Sequence, residues 1–220
     1  MICGEVSVKG WEQNKVGIKG LLDEELEEFI FDIDGSETEI KVRIPRNNSS
    51  WYNRKETDLV IHVPENSKLE ISGVSLEVNA EGTRNGVEVG VVSGDVSLEG
   101  GNDRIVLQTV SGDIEIVYTD FIEVSGHSVS GDVEIRGQMK TGGVVEFDNV
   151  SGSIRLGLQG DINARFDIET GSGSIRNRLS DDKAKASKYV RDESLRFVLG
   201  DGLGDVVLST RSGDITISDR

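Results

Sequence analysis

The chain has 220 residues and a formal net charge of −16, with 27 glycines, 2 prolines, a single cysteine and 35% hydrophobic residues. So little proline excludes collagen-like and proline-rich disordered chains. The acidic balance disfavours nucleic acid, whose phosphates require a basic surface, and no apolar run approaches the ~20 residues of a membrane-spanning helix.

The N-terminus, Met-Ile-Cys-Gly-Glu-Val, lacks the basic and apolar regions of a signal peptide. Either the protein is cytoplasmic or a leader has been removed. Cys3 permits no internal disulfide. Val6, Val8, Val16 and Ile18 predict short strands separated by glycines. Phe29, Phe31 and Ile33, then Asp34-Gly35, then Ile40, Val42 and Ile44 predict a β-hairpin. Pro45 and Pro64 each end a strand run, where a missing amide costs least. Trp11, Trp51, Phe29 and Phe31 gather in this quarter of a chain that is only 5% aromatic. Residues 1–56 are therefore expected to form an N-terminal β region capping the remainder of the chain; an exposed aromatic ligand patch is the alternative.

The rest of the chain repeats. Ser-Gly followed by Asp or Ser, then Val or Ile, occurs at Ser93, Ser111, Ser130, Ser151, Ser172 and Ser212, with a weaker copy at Ser72-Gly73. The steps are 18, 19, 21, 21 and 40, the last read as two units with one marker missing. Six residues before the serine stand Val87, Ile105, Val145, Phe166 and Val206, and two residues later Val89, Leu107, Phe147, Ile168 and Leu208. The third copy is read as Ile122 and Val124, with two extra residues around Gly126-His127. Val92, Val110, Val129 and Val150 directly precede the serine and supply a third apolar position. After the marker come Val96, Ile114, Val133, Ile154, Ile175 and Ile215. Alternation with period 2 makes both halves of each unit strands with one buried face. Gly94, Gly112, Gly131, Gly152, Gly173 and Gly213 then occupy one structural corner, where a residue without Cβ can take positive φ.

One such unit cannot bury its apolar face alone. Stacking successive units places each Val/Ile column on its own copy at ~4.8 Å. The expected fold of residues 57–220 is an all-β, single-stranded β-helix or β-solenoid with coils of ~20 residues; seven or so would span roughly 35 Å. A β-sandwich of short strands is the competing architecture. Residues 180–193 interrupt the repeat as a surface loop or one helical turn, with Ser180 as its N-cap. The strand Asp214 to Ser218 runs almost to the last residue, so its edge is expected to be open to the excursion or to another chain.

These features resemble the bacterial putative-adhesin family of uncharacterised β-repeat proteins. The residues carrying the resemblance are the Val-Ser-Gly-Asp-Val/Ile units, the segment from Val6 to Trp11, and the closing stretch from Gly200 to Ile215. The resemblance implies a right-handed β-helix, a hand also expected from strand twist. It further implies frequent export and adhesion, with no catalytic residues to carry over.

Asp95, Asp113 and Asp132 fall on successive coils and would form a carboxylate row. Two readings are open: corner-capping by side chain to backbone bonds, and a calcium row. Gly200-Asp201-Gly202-Leu203-Gly204-Asp205 has no lysine or following helix pattern, so it reads as a turn rather than a phosphate loop. Asp32-Ile33-Asp34-Gly35 reads as a hairpin rather than the start of a calcium loop. His62, on strand parity, points outward; His127 sits in the bulge of the third repeat. Neither belongs to a nucleophile or metal motif, and no cofactor is implied.

The leading expectation is a non-enzymatic scaffold or adhesion module of the bacterial envelope or surface, with a surface glycan or protein as partner. A carbohydrate-active β-helix enzyme, using paired carboxylates, is one alternative. A cytoplasmic scaffold that self-assembles as a homo-oligomer through its terminal strand edge is another.

Overall fold

A computed structural model describes residues 4–21, 28–35, 37–43, 57–101, 104–186 and 191–219. Its strands are, in chain order, β1 (Gly4–Trp11), β2 (Gly17–Leu21), β3 (Glu28–Asp34), β4 (Glu37–Arg43), β5 (Thr57–Pro64), β6 (Lys68–Ser75) and β7 (Glu77–Thr83). There follow β8 (Val87–Ser93), β9 (Val96–Gly100), β10 (Arg104–Ser111), β11 (Ile114–Ser130), β12 (Val133–Ser151) and β13 (Ile154–Leu158). The last are β14 (Ala164–Thr170), β15 (Ile175–Asn177), β16 (Lys185–Ala186), β17 (Glu193–Leu199), β18 (Gly204–Ser212) and β19 (Ile215–Asp219). The described residues contain no helix.

All 19 strands belong to one hydrogen-bonded sheet that curls on itself, a β-solenoid-like arrangement. One face stacks in the order β3, β4, β6, β8, β10, the end of β11, the end of β12, β18, β14, β17 and β16. The other stacks as β2, β5, β1, β7, β9, the start of β11, the start of β12, β13, β19 and β15. Each repeated coil runs along the first face, turns at Ser-Gly, and returns along the second. Its wider second turn absorbs the differences in length: the register shifts between β11 and β12 lie at Tyr118–Asp120 and Phe121–Glu123.

The inward columns form a single core. Ile71, Val89, Leu107, Phe147, Leu208 and Ile168 stack in one of them, and each is nearly or fully buried. Val96, Ile114, Val133, Ile154 and Ile215 stack in another on the opposite face. β-Branched side chains suit this pleated, self-stacking surface.

Register corrects several expectations. In the third copy the paired positions are Val124 and Gly126, not Ile122 and Val124, and His127 lies in register between Gln108 and Asp148, with no bulge. Gly126 is tolerated in a core column because the Phe147 ring of the next coil takes its space; a Cβ there would meet Phe147 Cε2 at 2.3 Å. The valines before the serine are not core. Val92, Val110 and Val129 are 43%, 46% and 38% exposed, because one step along a strand reverses the side chain. The inward position is one residue earlier, at Val91, Thr109, Ser128, Asn149, Thr170 and Thr210. Ser72-Gly73 is not a corner either. Ser75 pairs with Ser93, and Leu76 N donates to Ser93 O just as Gly94 N donates to Ser111 O. Gly73 instead leaves room for buried Leu76, 2.8 Å from where its Cβ would stand.

The stack is also not sequential at its ends. The step of 40 hides no missing coil: Ser172 and Ser212 lie on adjacent coils, and β17 is an antiparallel strand on the far side of β14. The coil β18–β19 is inserted between β12–β13 and β14–β15. The terminal strand is therefore bonded on both sides rather than being an open edge. β1 is likewise inserted, between β5 and β7.

These insertions share one construction. β1 and β2 are consecutive and antiparallel in direction, yet β5 lies between them. β17 and β18 are consecutive and antiparallel in direction, yet β14 lies between them. Each end therefore carries a hairpin that straddles a strand of another coil, one arm joining the parallel stack and the other covering its outside. The first turn is held by Trp11 Nε1 donating to Lys15 O at 2.7 Å, with the Trp11 ring 5.0 Å from that of half-buried His62. The second is held by Leu203 N donating to Asn163 Oδ1 and Gly204 N to Asn163 O, both at 3.0 Å. The hairpin of β3 and β4 turns at Gly35 with φ +59°, while Cys3, Pro45 and Trp51 lie outside the described residues. So do parts of 180–193, whose described strand β16 pairs with β17.

The compensation between Gly126 and Phe147 is testable. Gly126→Ala is expected to lose about 1–3 kcal/mol by overpacking. Adding Phe147→Leu should recover part of that loss in a double-mutant cycle measured by denaturant unfolding.

Candidate functional site

The corner is built from backbone first. Gly94, Gly112, Gly131, Gly152 and Gly213 have φ between +128° and +153°. A Cβ on any of the last four would stand 2.0–2.1 Å from the carbonyl oxygen of the corner glycine in the coil beneath, and one on Gly94 would stand 2.1 Å from Leu76 O. Gly173 makes the same approach to Gly213 O, at 2.0 Å. Corner amides climb the stack: Gly112 N donates to Ser130 O and Gly131 N to Ser151 O, both at 3.1 Å.

Inside the corner runs a polar column. Asn149 Nδ2 donates to Gly131 O at 2.9 Å, Thr210 Oγ1 to Gly152 O at 3.2 Å, and Thr170 Oγ1 to Gly213 O at 2.9 Å. Thr109 Oγ1 donates to Ser128 Oγ at 3.0 Å. The Asn149, Thr210 and Thr170 bonds satisfy corner carbonyls that no strand ladder reaches, which a buried backbone oxygen requires. Asn149 Oδ1 is left without a partner. The column has a signal in the sequence: two residues before the serine, every copy from Ser111 onward has a short polar side chain.

Outside the corner lie the aspartates. Asp113 N donates to Asp95 Oδ1, Asp132 N to Asp113 Oδ1 and Ser153 N to Asp132 Oδ1, at 2.8–2.9 Å. Ser174 N and Oγ both donate to Asp214 Oδ1. Each carboxylate thus ties its corner to the next. Register extends the column beyond the three aspartates: Asp58, Glu5 and Glu77 precede Asp95 on successive strands, giving an anionic stripe about 24 Å long at strand spacing. Beside it lies a shallow groove of about 330 Å³, whose lining includes Glu77, Asp95, Asp113, Glu115, Asp132 and Glu134. Arg155 closes one end, its Nη1 3.2 Å from Asp132 Oδ2. Among the described residues, no group of three or more His, Cys, Asp or Glu side chains could hold a metal ion.

Many other cations pair across neighbouring coils. Lys9 pairs with Glu81, Lys68 with Glu37, Arg104 with Glu123, Arg165 with Asp205, and Arg196 with Asp167 and Glu169. His62 and His127 are far apart on opposite faces, and His127 is exposed. Gly200–Leu203 is the turn between β17 and β18, and Gly204 and Asp205 begin β18. Asp34-Gly35 belongs to the hairpin turn, and Asp32 Oδ1 accepts from Ile33 N.

The aspartate bonds can be tested one at a time. Asp113→Asn should stay within about 0.5 kcal/mol of the parent, because an amide oxygen can still accept from Asp132 N. Asp113→Ala should lose about 1 kcal/mol; denaturant unfolding separates the two. The bonds from Ser174, with Arg176 beside them, hold the Asp214 carboxyl below the usual carboxylate value. A group depressed on folding stabilises fully above its unfolded pKa and loses that contribution as pH falls through its folded one. The stability advantage of the parent over Asp214→Asn should therefore shrink across the acid range and vanish below it.

The sequence from residue 5 to residue 218 matches the model of the Toastrack DUF4097 family. Among solved structures, a putative cell adhesion protein from Clostridium sporogenes ATCC 15579 is similar at 14% identity and a TM-score of 0.43, over 99% of this chain and 88% of that one.

Proposed function

Since the chain belongs to the Toastrack DUF4097 family, we propose that it is a non-enzymatic scaffold or adhesion module that meets its partner through the outer surface of the solenoid. One observation carries this reading: the acidic stripe and the groove beside it are set on registered strands, so their spacing is fixed by the backbone ladder. A surface of that kind presents a periodic charged face without closing around a substrate. We read the winding as right-handed and, within residues 1–56, β2 and β3 as the strands closing one end. The place of action is the cell envelope or cell surface, and the partner a surface glycan or protein. The charge of the stripe favours a ligand bearing cationic groups.

Glycan and protein arrays probed with the full chain test this reading. The expected result is retained ligand that is released by salt and chemically unchanged, with binding weakened by Glu115→Lys or Glu134→Lys. Release of new reducing ends from a bound polysaccharide would overturn it.

A further inference from the structure

The slot filled by β18 and β19 is lined alike on both walls. Leu208 lies between Phe147 and Ile168, and Ile215 between Ile154 and Ile175. Thr210 Oγ1 reaches the Gly152 carbonyl on one wall, while Thr170 Oγ1 on the other wall reaches the Gly213 carbonyl of the inserted coil. The register of the guest coil is thus specified from two sides, and none of these bonds depends on how the guest is joined to the rest of the chain. That join is short. Residues 200–203 carry β17 into β18 across the start of β14, with Gly200 at φ +61° and Gly202 at φ +66°. Gly200, Asp201 and Leu203 are exposed. A short loop bent over an intervening strand opens by extending, which frees the arm beyond it and leaves two parallel edges facing one another.

We propose that this slot is a strand-acceptor site, filled by the chain's own C-terminal coil in the monomer and by the same coil of a second copy in a strand-exchanged dimer, with residues 200–203 as the hinge. A guest for this slot must carry apolar side chains at the Val206, Leu208, Ile215 and Ile217 positions, a short hydroxyl at Thr210 and a glycine at the corner. A second copy meets every one of these requirements. The proposal is independent of the adhesion or scaffold reading, and its test involves no ligand.

Asp148 and Ser209 are register partners on the outer surface, and their side chains are in contact. Cysteines at both positions would have Cα atoms about 4.8 Å apart, within disulfide range. The full chain carrying Cys3→Ser, Asp148→Cys and Ser209→Cys is unfolded under reduction, refolded over about a hundredfold range of protein concentration, reoxidised and run on a non-reducing gel. The expected result is a covalent dimer whose fraction rises with concentration and rises further when Gly202→Val hinders the bent hinge. Intrachain disulfide alone at every concentration would overturn the proposal. Light scattering on the Cys3→Ser chain without the added pair is the second readout, and a monomer at every refolding concentration would overturn it equally.

Discussion

The architecture depends on the approach of one peptide group to the next at the Ser-Gly corner. A corner carbonyl sits where the Cβ of the stacked residue would be, so each coil lies at strand spacing only if that residue has no side chain. Given that approach, the first and second faces of every coil leave the corner in register, and the apolar columns stack on their own copies. The buried Asn and Thr side chains and the exposed aspartates then secure the same corner from inside and outside. Were the corner wider, the strands beside it could not remain in register on both sides of the turn.

Much of this is legible in the sequence, and the limits have physical causes. The spacing of Ser-Gly markers identifies the corner, and the Val/Ile alternation identifies the inward columns on both faces. Parity along a strand is the weakest inference. Val92, Val110 and Val129 look like core by composition, yet the turn after them places them on the outer side, and Thr109 and Asn149 on the inner. The core place of Gly126 is hidden because a gap in one coil is filled by Phe147 in the next, a compensation between units that alignment of single units cannot show. The acidic row shows in sequence as three residues, since Glu77 follows Ser75-Leu76 rather than a Ser-Gly marker, and Glu5 and Asp58 reach the column only through strand pairings remote in sequence.

Order along the stack is the other part that sequence pattern does not carry. A coil's columns match any neighbouring coil equally well, so the repeat specifies that coils stack but not which stacks on which. Here β1 and the coil β18–β19 enter between coils that are closer to each other in sequence than to the segment between them. The straddling hairpins make this order workable: their antiparallel outer arms cover strands that would otherwise present open ladders to solvent. The first and last strands, β1 and β19, therefore lie inside the stack, and its margins are formed by β2 and β3 at one end and by β15, β16 and β17 at the other.

The most direct test of the corner compares two glycines by chemical denaturation. Gly131 has φ +132° and its Cβ would stand 2.0 Å from Gly112 O, whereas Gly142 has φ +76° with nothing within 4 Å of where its Cβ would stand. Gly142→Ala should lose about 1 kcal/mol from backbone strain alone. Gly131→Ala should lose at least about 3 kcal/mol, since the stacked backbone must also move. Equal losses at the two positions would contradict the account, because the close approach of the coils would then contribute nothing beyond the glycine's φ.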